Sequence, residues 1–427
     1  MSFQEFQKAS HPLTPQEWRF LFLVVVALAV ILGLLGYANL FLARSLPGGG
    51  EFYMLYIAGR AFLFDRIEPY SVGVPSAVQE RVYGRLAQPG EELYILDIPF
   101  HLMPFFFPLA LFPDAQAARA VWMTLIEAAA LVFLALTFRL LERQPARYFT
   151  VLVFLFCLSS YYVWQTFLEG SAAILLGVAY VGILLTLRAQ WDELAGALLV
   201  ATAFQWEMGA PFWLFIFLSV FWARRWRVLA GAGMLLFVLL VVSFLSYPGW
   251  LLPFLRAAWN NLRADFGYST PHILGRLWPA HGNLLAWTLS AALWMALIYE
   301  WGRSRGADFR RFVWTAAFTL TATPLLGFRS ELDNLVVLFF PVVLFLVTVR
   351  ERWKRIGEGI AIVLLAALFA VAWLFSFGYL ALPFLAAPEA LYLFLPLAAL
   401  LGLYWMRWWI IRPPRTWLDH LSTLESR

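Results

Sequence analysis

The chain has 427 residues, 62% hydrophobic and 13% charged, with a mean hydropathy of +0.75. Soluble domains run near 45–50% apolar and about 25% charged, so a chain of this composition could not cover itself with polar surface. That excludes soluble enzymes, nucleic-acid binders and disordered scaffolds. The apolar stretches approach the ~20 residues a helix needs to cross a bilayer and lack the short alternating strands of a barrel, which points to an all-α polytopic membrane protein. The net charge is +5, and nearly all the basic residues are Arg, to be read by position. The one cysteine, Cys157, lies in an apolar run and excludes a disulfide framework or a thiolate metal site.

In chain order, hydropathy predicts membrane segments at 20–43, 99–112, 117–141, 148–168, 171–188, 194–221, 228–246, 283–300, 312–328, 334–349, 359–380 and 390–411. The first is too long for a signal-peptide core, so it is expected to stay as a transmembrane helix. In the loop 44–98, residues 51–64 read as an interfacial helix. A second helix starts near Pro75, carries Val78, Val82 and Leu86 at helical spacing, and stops at Gln88-Pro89-Gly90. The 99–112 run is too short to cross and is expected to dip in and return. The 194–221 run is interrupted at Gly209-Ala210-Pro211, where a break is expected.

With these two features, 21 basic residues fall on one side and 10 on the other. The positive-inside rule then puts both termini in the cytoplasm and the loops 44–98 and 247–282 outside. Residues 1–427 read as one integral membrane domain of about 10–12 segments, with a cavity opening outward.

Few residues offer chemistry. Glu51 follows Gly48-Gly49-Gly50 at the end of the first helix, where it reads either as a general base or as an acid favoured by a helix N-terminus. Asp97, just before Pro99, is a second candidate. Glu127, Glu169 and Glu207 lie in or beside apolar segments, where ionisable groups are rare and usually face a cavity. Glu127, deep in its span, reads as a carboxylate hydrogen-bonded between helices. Arg263, His272 and Arg276, interleaved with tryptophans, suit either a phosphate or a lipid surface. Arg329, with Glu331 and Asp333 nearby, is a better phosphate candidate. No zinc spacing, phosphate loop or nucleophile elbow is present, and no acidic metal cage is evident.

Several stretches together resemble the GT-C polytopic glycosyltransferases, and within them glycosyltransferase family eighty-seven. They are Gly50-Glu51-Phe52 with Tyr56 and Ala58-Gly59, Glu68-Pro69-Tyr70, Ile98-Pro99-Phe100 with Pro108-Leu109, Ser269 to Leu277, and Pro324 with Asp333-Asn334-Leu335 and Pro341. Glu51 stands where the family has Asp, Leu168-Glu169-Gly170-Ser171 where it has Gly-Gln-x-Asn, and Gln205-Trp206-Glu207 where Lys-Pro is common. The resemblance implies an inverting, metal-independent and cofactor-free transfer of a mannose-like hexose from a polyprenyl-phosphate sugar to a lipid or glycan acceptor in the cell membrane. It implies Glu51 as the base, with Tyr56, Asp97, Glu169, Gln205, Glu207, Arg263, His272, Arg276, Arg329 and Asp333 on the substrate side. The changed polar positions leave open a non-catalytic, lipid- or glycolipid-binding subunit of a larger complex. A transporter has less support, because no internal repeat is visible.

Overall fold

The computed structural model describes residues 14–88, 90–141, 146–263 and 267–411, and these are helical with no β-strand, only isolated bridges. Lys8, Arg143, Arg412, Arg415 and Arg427, which the charge count used, and Pro89 lie outside the described residues. Helix α1 spans Pro15–Ser45, α2 Gly50–Arg60 and α3 Gly73–Tyr83. A 3-10 stretch (Phe100–Phe105) and a short turn (Phe107–Ala110) lead into α4, Ala115–Leu141. Helices α5 (Arg147–Leu158) and α6 (Tyr161–Glu169) follow one another across a 48° bend. Then come α7 (Ala173–Arg188), α8 (Asp192–Ala201), α9 (Trp206–Trp222), α10 (Trp226–Ser246), α11 (Leu251–Arg263) and α12 (Thr270–Leu277). The chain finishes with α13 (Gly282–Ser304), α14 (Phe309–Ala322), α15 (Phe339–Ser376) and α16 (Ala387–Ile411).

Among the described residues six helical stretches are long and apolar enough to cross a membrane, or seven if the bent α5–α6 pair is one span. This is a polytopic, all-α membrane protein. The sequence pointed to more segments because α7 and α9 are shorter apolar helices and because α15 holds two of the expected runs. A non-helical residue, Lys354 (φ 49°, ψ −121°), divides α15 between those two runs.

Helix α1 shows how the rim meets lipid. Phe22, Leu23, Ile31, Leu34, Tyr37 and Phe41 are all exposed on it, as suits a surface solvated by acyl chains. One polar clasp ties it inward: Asn39 Nδ2 donates to Thr124 Oγ1 and to Glu127 Oε2 on α4, each at 2.9 Å. Glu127 is therefore held between helices.

Helix α2 is packed inside the protein: Phe52, Tyr53, Met54, Leu55, Tyr56 and Ala58 are all buried, because α4 and the 100–110 segment pack over it. Two local expectations need correction. Helix α3 stops at Gly84, which takes the left-handed φ of 70° that closes a helix, and leaves Leu86 exposed. The break in the 194–221 run falls at the 3-10 turn Thr202–Phe204 and Gln205, upstream of Pro211. There Thr202 Oγ1 donates to Leu199 O and accepts from Trp213 Nε1, which fixes the turn. Pro211 lies inside α9, and its missing N–H removes one helical bond without ending the helix.

Two features hold the opposite end of the bundle. Glu300, buried, accepts from Arg311 at 3.2 Å and Arg407 at 2.6 Å, joining α13, α14 and α16. Helices α8 and α10 meet backbone to backbone, so that a Cβ on Gly196 would sit 1.9 Å from Val228 O. We expect Gly196→Ala to cost about 1–3 kcal/mol through forced separation of these helices, seen as a lowered melting temperature. Gly233→Ala, on α10 with nothing within 4 Å of a new Cβ, should leave stability unchanged or raise it.

Candidate functional site

Helix α2 is aimed by a clamp. Arg119, on the first turns of α4 and only 2% exposed, donates to Leu46 O (3.1 Å), Pro47 O (3.2 Å) and Leu168 O (2.9 Å). These carbonyls lie just past α1 and at the end of α6. Gly49 passes over the guanidinium in the left-handed region (φ 87°), where a Cβ would meet Arg119 Nε at 2.7 Å. A Cβ on Gly50 would meet the Tyr94 ring at 2.1 Å. Only glycine fits either position. Glu169 Oε2 accepts from the Gly50 N–H at 3.3 Å, capping the start of α2. The next residue is Glu51.

Glu51 lines a cavity of about 110 Å³, several times the volume one water needs. Glu92, Asp97, Gln205, Glu207, Asn261, Arg329, Ser330, Glu331 and Asn334 line it with Glu51. The break before α9 supplies Gln205 and Glu207. Asn261 of α11 donates to Asp97 Oδ2 at 2.9 Å, joining the 44–98 and 247–282 loops. A two-way bridge sets Arg329: Tyr268 N–H donates to Ser330 O at 2.8 Å, and Ser330 N–H donates to Tyr268 O at 2.9 Å. Gly267 (φ 88°) lies beneath the Arg329 side chain, where a Cβ would come within 2.8 Å of Cγ.

The electrostatics are lopsided. Among the described residues lining the cavity, five are carboxylates and one, Arg329, is a cation. Carboxylate oxygens of Glu51, Glu331 and Asp333 all lie within 4.8 Å of one another. Two unit charges at that separation repel by about 3 kcal/mol at an effective dielectric constant of ~20. Desolvation first, then the charges of Asp333 and Glu331, hold the Glu51 carboxyl well above the usual carboxylate range. Glu331 is raised by desolvation and by Glu92, and Glu92 by desolvation and by Glu169.

A carboxyl raised on folding stabilises the fold at low pH, and that stabilisation is lost as pH rises through the raised value. Glu92→Gln should therefore raise the melting temperature at pH 8, by about 2–4 °C, and change it little near pH 4. Thermal unfolding at the two pH values measures the difference.

The structure brings together Glu51, Asp97, Gln205, Glu207 and Arg329, with Asp333 and Glu169 immediately beside them. It does not bring four others. The Tyr56 hydroxyl donates to Phe112 O at 2.9 Å inside the core. Arg263 is exposed and lies over the Trp259 ring at 4.6 Å. Arg276 pairs with Glu389 at 2.6 Å, tying α12 to the start of α16. His272 is exposed on α12, where its N–H donates to Ser269 Oγ. The sequence reading passed over Glu92, Asn261, Ser330 and Asn334 as site residues and used Arg119 only in the charge count. An arginine in the first turns of an apolar helix was the one available signal.

Neither the curated proteins nor the solved structures offer a match to this chain. A family model does match, over residues 99–324, more than half of the chain. The matched stretch carries Gln205 and Glu207 and ends before Arg329, while Glu51 and Asp97 precede it. On that match, this membrane protein belongs to glycosyltransferase family 87.

Proposed function

We propose that the chain is an inverting glycosyltransferase that moves a mannose-like hexose from a polyprenyl-phosphate sugar to a lipid or glycan hydroxyl. The observation that carries this reading is the cavity itself, in which Glu51 and Arg329 face one space from segments far apart in sequence. In the reaction, an acceptor oxygen attacks the anomeric carbon opposite the phosphate. The bond from that carbon to the phosphate oxygen breaks, and its electron pair leaves with the polyprenyl phosphate. The acceptor proton passes to Glu51, whose surroundings favour taking up a proton. The leaving group departs as a stable anion, so one carboxylate suffices where a glycosidase needs two. Arg329 stabilises the phosphate as charge develops on it. Asp97, Gln205, Glu207 and Asp333 hold sugar hydroxyls, and Glu169 acts through the Gly50 turn.

In this reading the whole chain works as one unit in the cell membrane, with both termini in the cytoplasm and the cavity facing outward. The Arg-rich turns support that placement. Arg225 and Arg305 line a separate cavity between the end of α9 and the start of α14, and α9 reaches the carboxylate cavity with its other end, at Glu207.

Purified protein in nanodiscs, given a panel of radiolabelled polyprenyl-phosphate sugars and acceptor extracts, should transfer one sugar class. Glu51→Gln should lower the rate by about 100- to 10,000-fold with the melting temperature retained. Arg329→Met should lower it by about 100- to 1,000-fold. Full activity in Glu51→Gln would remove this carboxylate from the mechanism.

A further inference from the structure

The cavity at the far end of α9 has no part in the transfer reaction. It holds about 420 Å³, within the range of about 300–1,000 Å³ usual for ligand sites. Helix α9 has 17 residues, so about 25 Å of helix separates this cavity from the carboxylates. Helices α9 and α13 each pack on α14, and the cavity lies where their ends meet its first turn. Val220, Trp222, Phe309 and Phe312 give it apolar walls.

Its rim is basic. Arg225 and Arg305 line the cavity itself. Arg224 lines an adjoining space shared with Trp222 and Arg305, and Arg188 and Arg310 line another shared with Arg225 and Phe309. Among the described residues lining these three spaces, five are arginines and one, Asp308, is an acid. Nearby arginines are neutralised: Arg225 pairs with Asp192, Arg227 with Glu193 and Arg311 with Glu300. Arg224, Arg305 and Arg310 form no ion pair among the described residues.

Two further donors face the same space. Ser219 lines the cavity with its hydroxyl buried and without a partner among the described residues. Other helix hydroxyls, such as those of Ser243 and Thr315, bond back to the carbonyl four residues earlier. No side chain caps the start of α14, whose first N–H groups favour an anion. Beyond the rim, Phe217 and Phe221 of α9, Trp226 of α10, and Ile298 and Tyr299 of α13 are exposed. Such a surface suits acyl chains and the membrane interface.

We propose that this cavity binds an anionic phospholipid of the bilayer, with its phosphate among Arg224, Arg305 and the start of α14. The acyl chains then run along the exposed faces of α9 and α13. Basic pockets between membrane helices take anionic headgroups in this way, and the apolar walls favour a lipid over a soluble anion. The lipid fills the junction of three helices and ties α9 to the α13–α14 turn. This site stands apart from the glycosyltransferase reading, and neither requires the other.

Phosphatidylglycerol is the probe. Full-length protein in neutral detergent is titrated with dioleoyl phosphatidylglycerol or dioleoyl phosphatidylcholine, and bound lipid is counted by native mass spectrometry. The first phosphatidylglycerol should bind about tenfold more tightly than phosphatidylcholine. Affinity should fall about fivefold in Arg305→Gln and at least tenfold in the double variant Arg224→Gln/Arg305→Gln. It should stay within about twofold in Arg352→Gln, an exposed arginine of α15 that lies over Trp409. Melting temperatures verify folding; should the double variant fail to fold, Arg305→Gln decides. Equal affinity for the two lipids overturns the proposal, as does unchanged affinity in a folded groove variant or an equal loss in Arg352→Gln. Displacement by excess inorganic phosphate would assign the cavity to a soluble anion instead. Tighter binding of a polyprenyl phosphate at the same arginines would overturn the assignment to a bilayer phospholipid.

Discussion

A single buried guanidinium organises the functional end of this protein. Among the described residues, Arg119 gives its terminal N–H donors to backbone carbonyls from the end of α1 and the end of α6, while its charge also acts on the nearby Glu169 carboxyl. Such carbonyls, left at helix ends inside an apolar bundle, would otherwise be costly to bury. Meeting them forces the chain through a turn that only glycines can make, and that turn delivers Glu51 at the head of a buried helix. The position of the proposed base thus follows from satisfying helix ends.

The second constraint is charge. Carboxylates from the start of α2, the 91–97 stretch, the α9 break and the 330–333 stretch meet with one lining arginine to offset them. Carboxylates this close cannot all ionise cheaply, and the site meets that strain by holding protons and by turning polar partners such as Asn261 toward the acids. In the proposed reaction a substrate with an anionic phosphate adds to the same problem, and Arg329 is the lining cation that offsets it. The phosphate and the base need opposite electrostatic surroundings within a space of about 110 Å³.

Much of the fold was legible in the sequence because bilayer physics is coarse. Length and hydropathy announce spans, and the family motifs run in order from Gly50 to Pro341. The turn at Thr202–Gln205 was misplaced because Pro211 is the louder local signal, while the real break is made by a threonine hydroxyl and a tryptophan N–H. In the site, Glu51 and Arg329 stood out as charges beside apolar runs. Glu92 did not, since it lies in a loop already rich in acids. The grouping of Glu331 with Glu51 joins segments nearly the whole bundle apart in sequence, and no spacing rule reports a tertiary contact. Arg263, Arg276 and His272 misled for the converse reason: their residue types suit phosphate, but the helices that carry them turn them toward Trp259, Glu389 and solvent.

The most direct test of the central claim is a cryo-EM structure of Glu51→Gln bound to a polyprenyl-phosphonate sugar that cannot be cleaved. The account predicts the phosphonate against Arg329, the sugar between Asp97 and Glu207, and the anomeric carbon facing residue 51 with room for an acceptor oxygen between them. Ligand density in the arginine-lined cavity at the other end of the bundle, with the carboxylate cavity closed to the sugar, would contradict it.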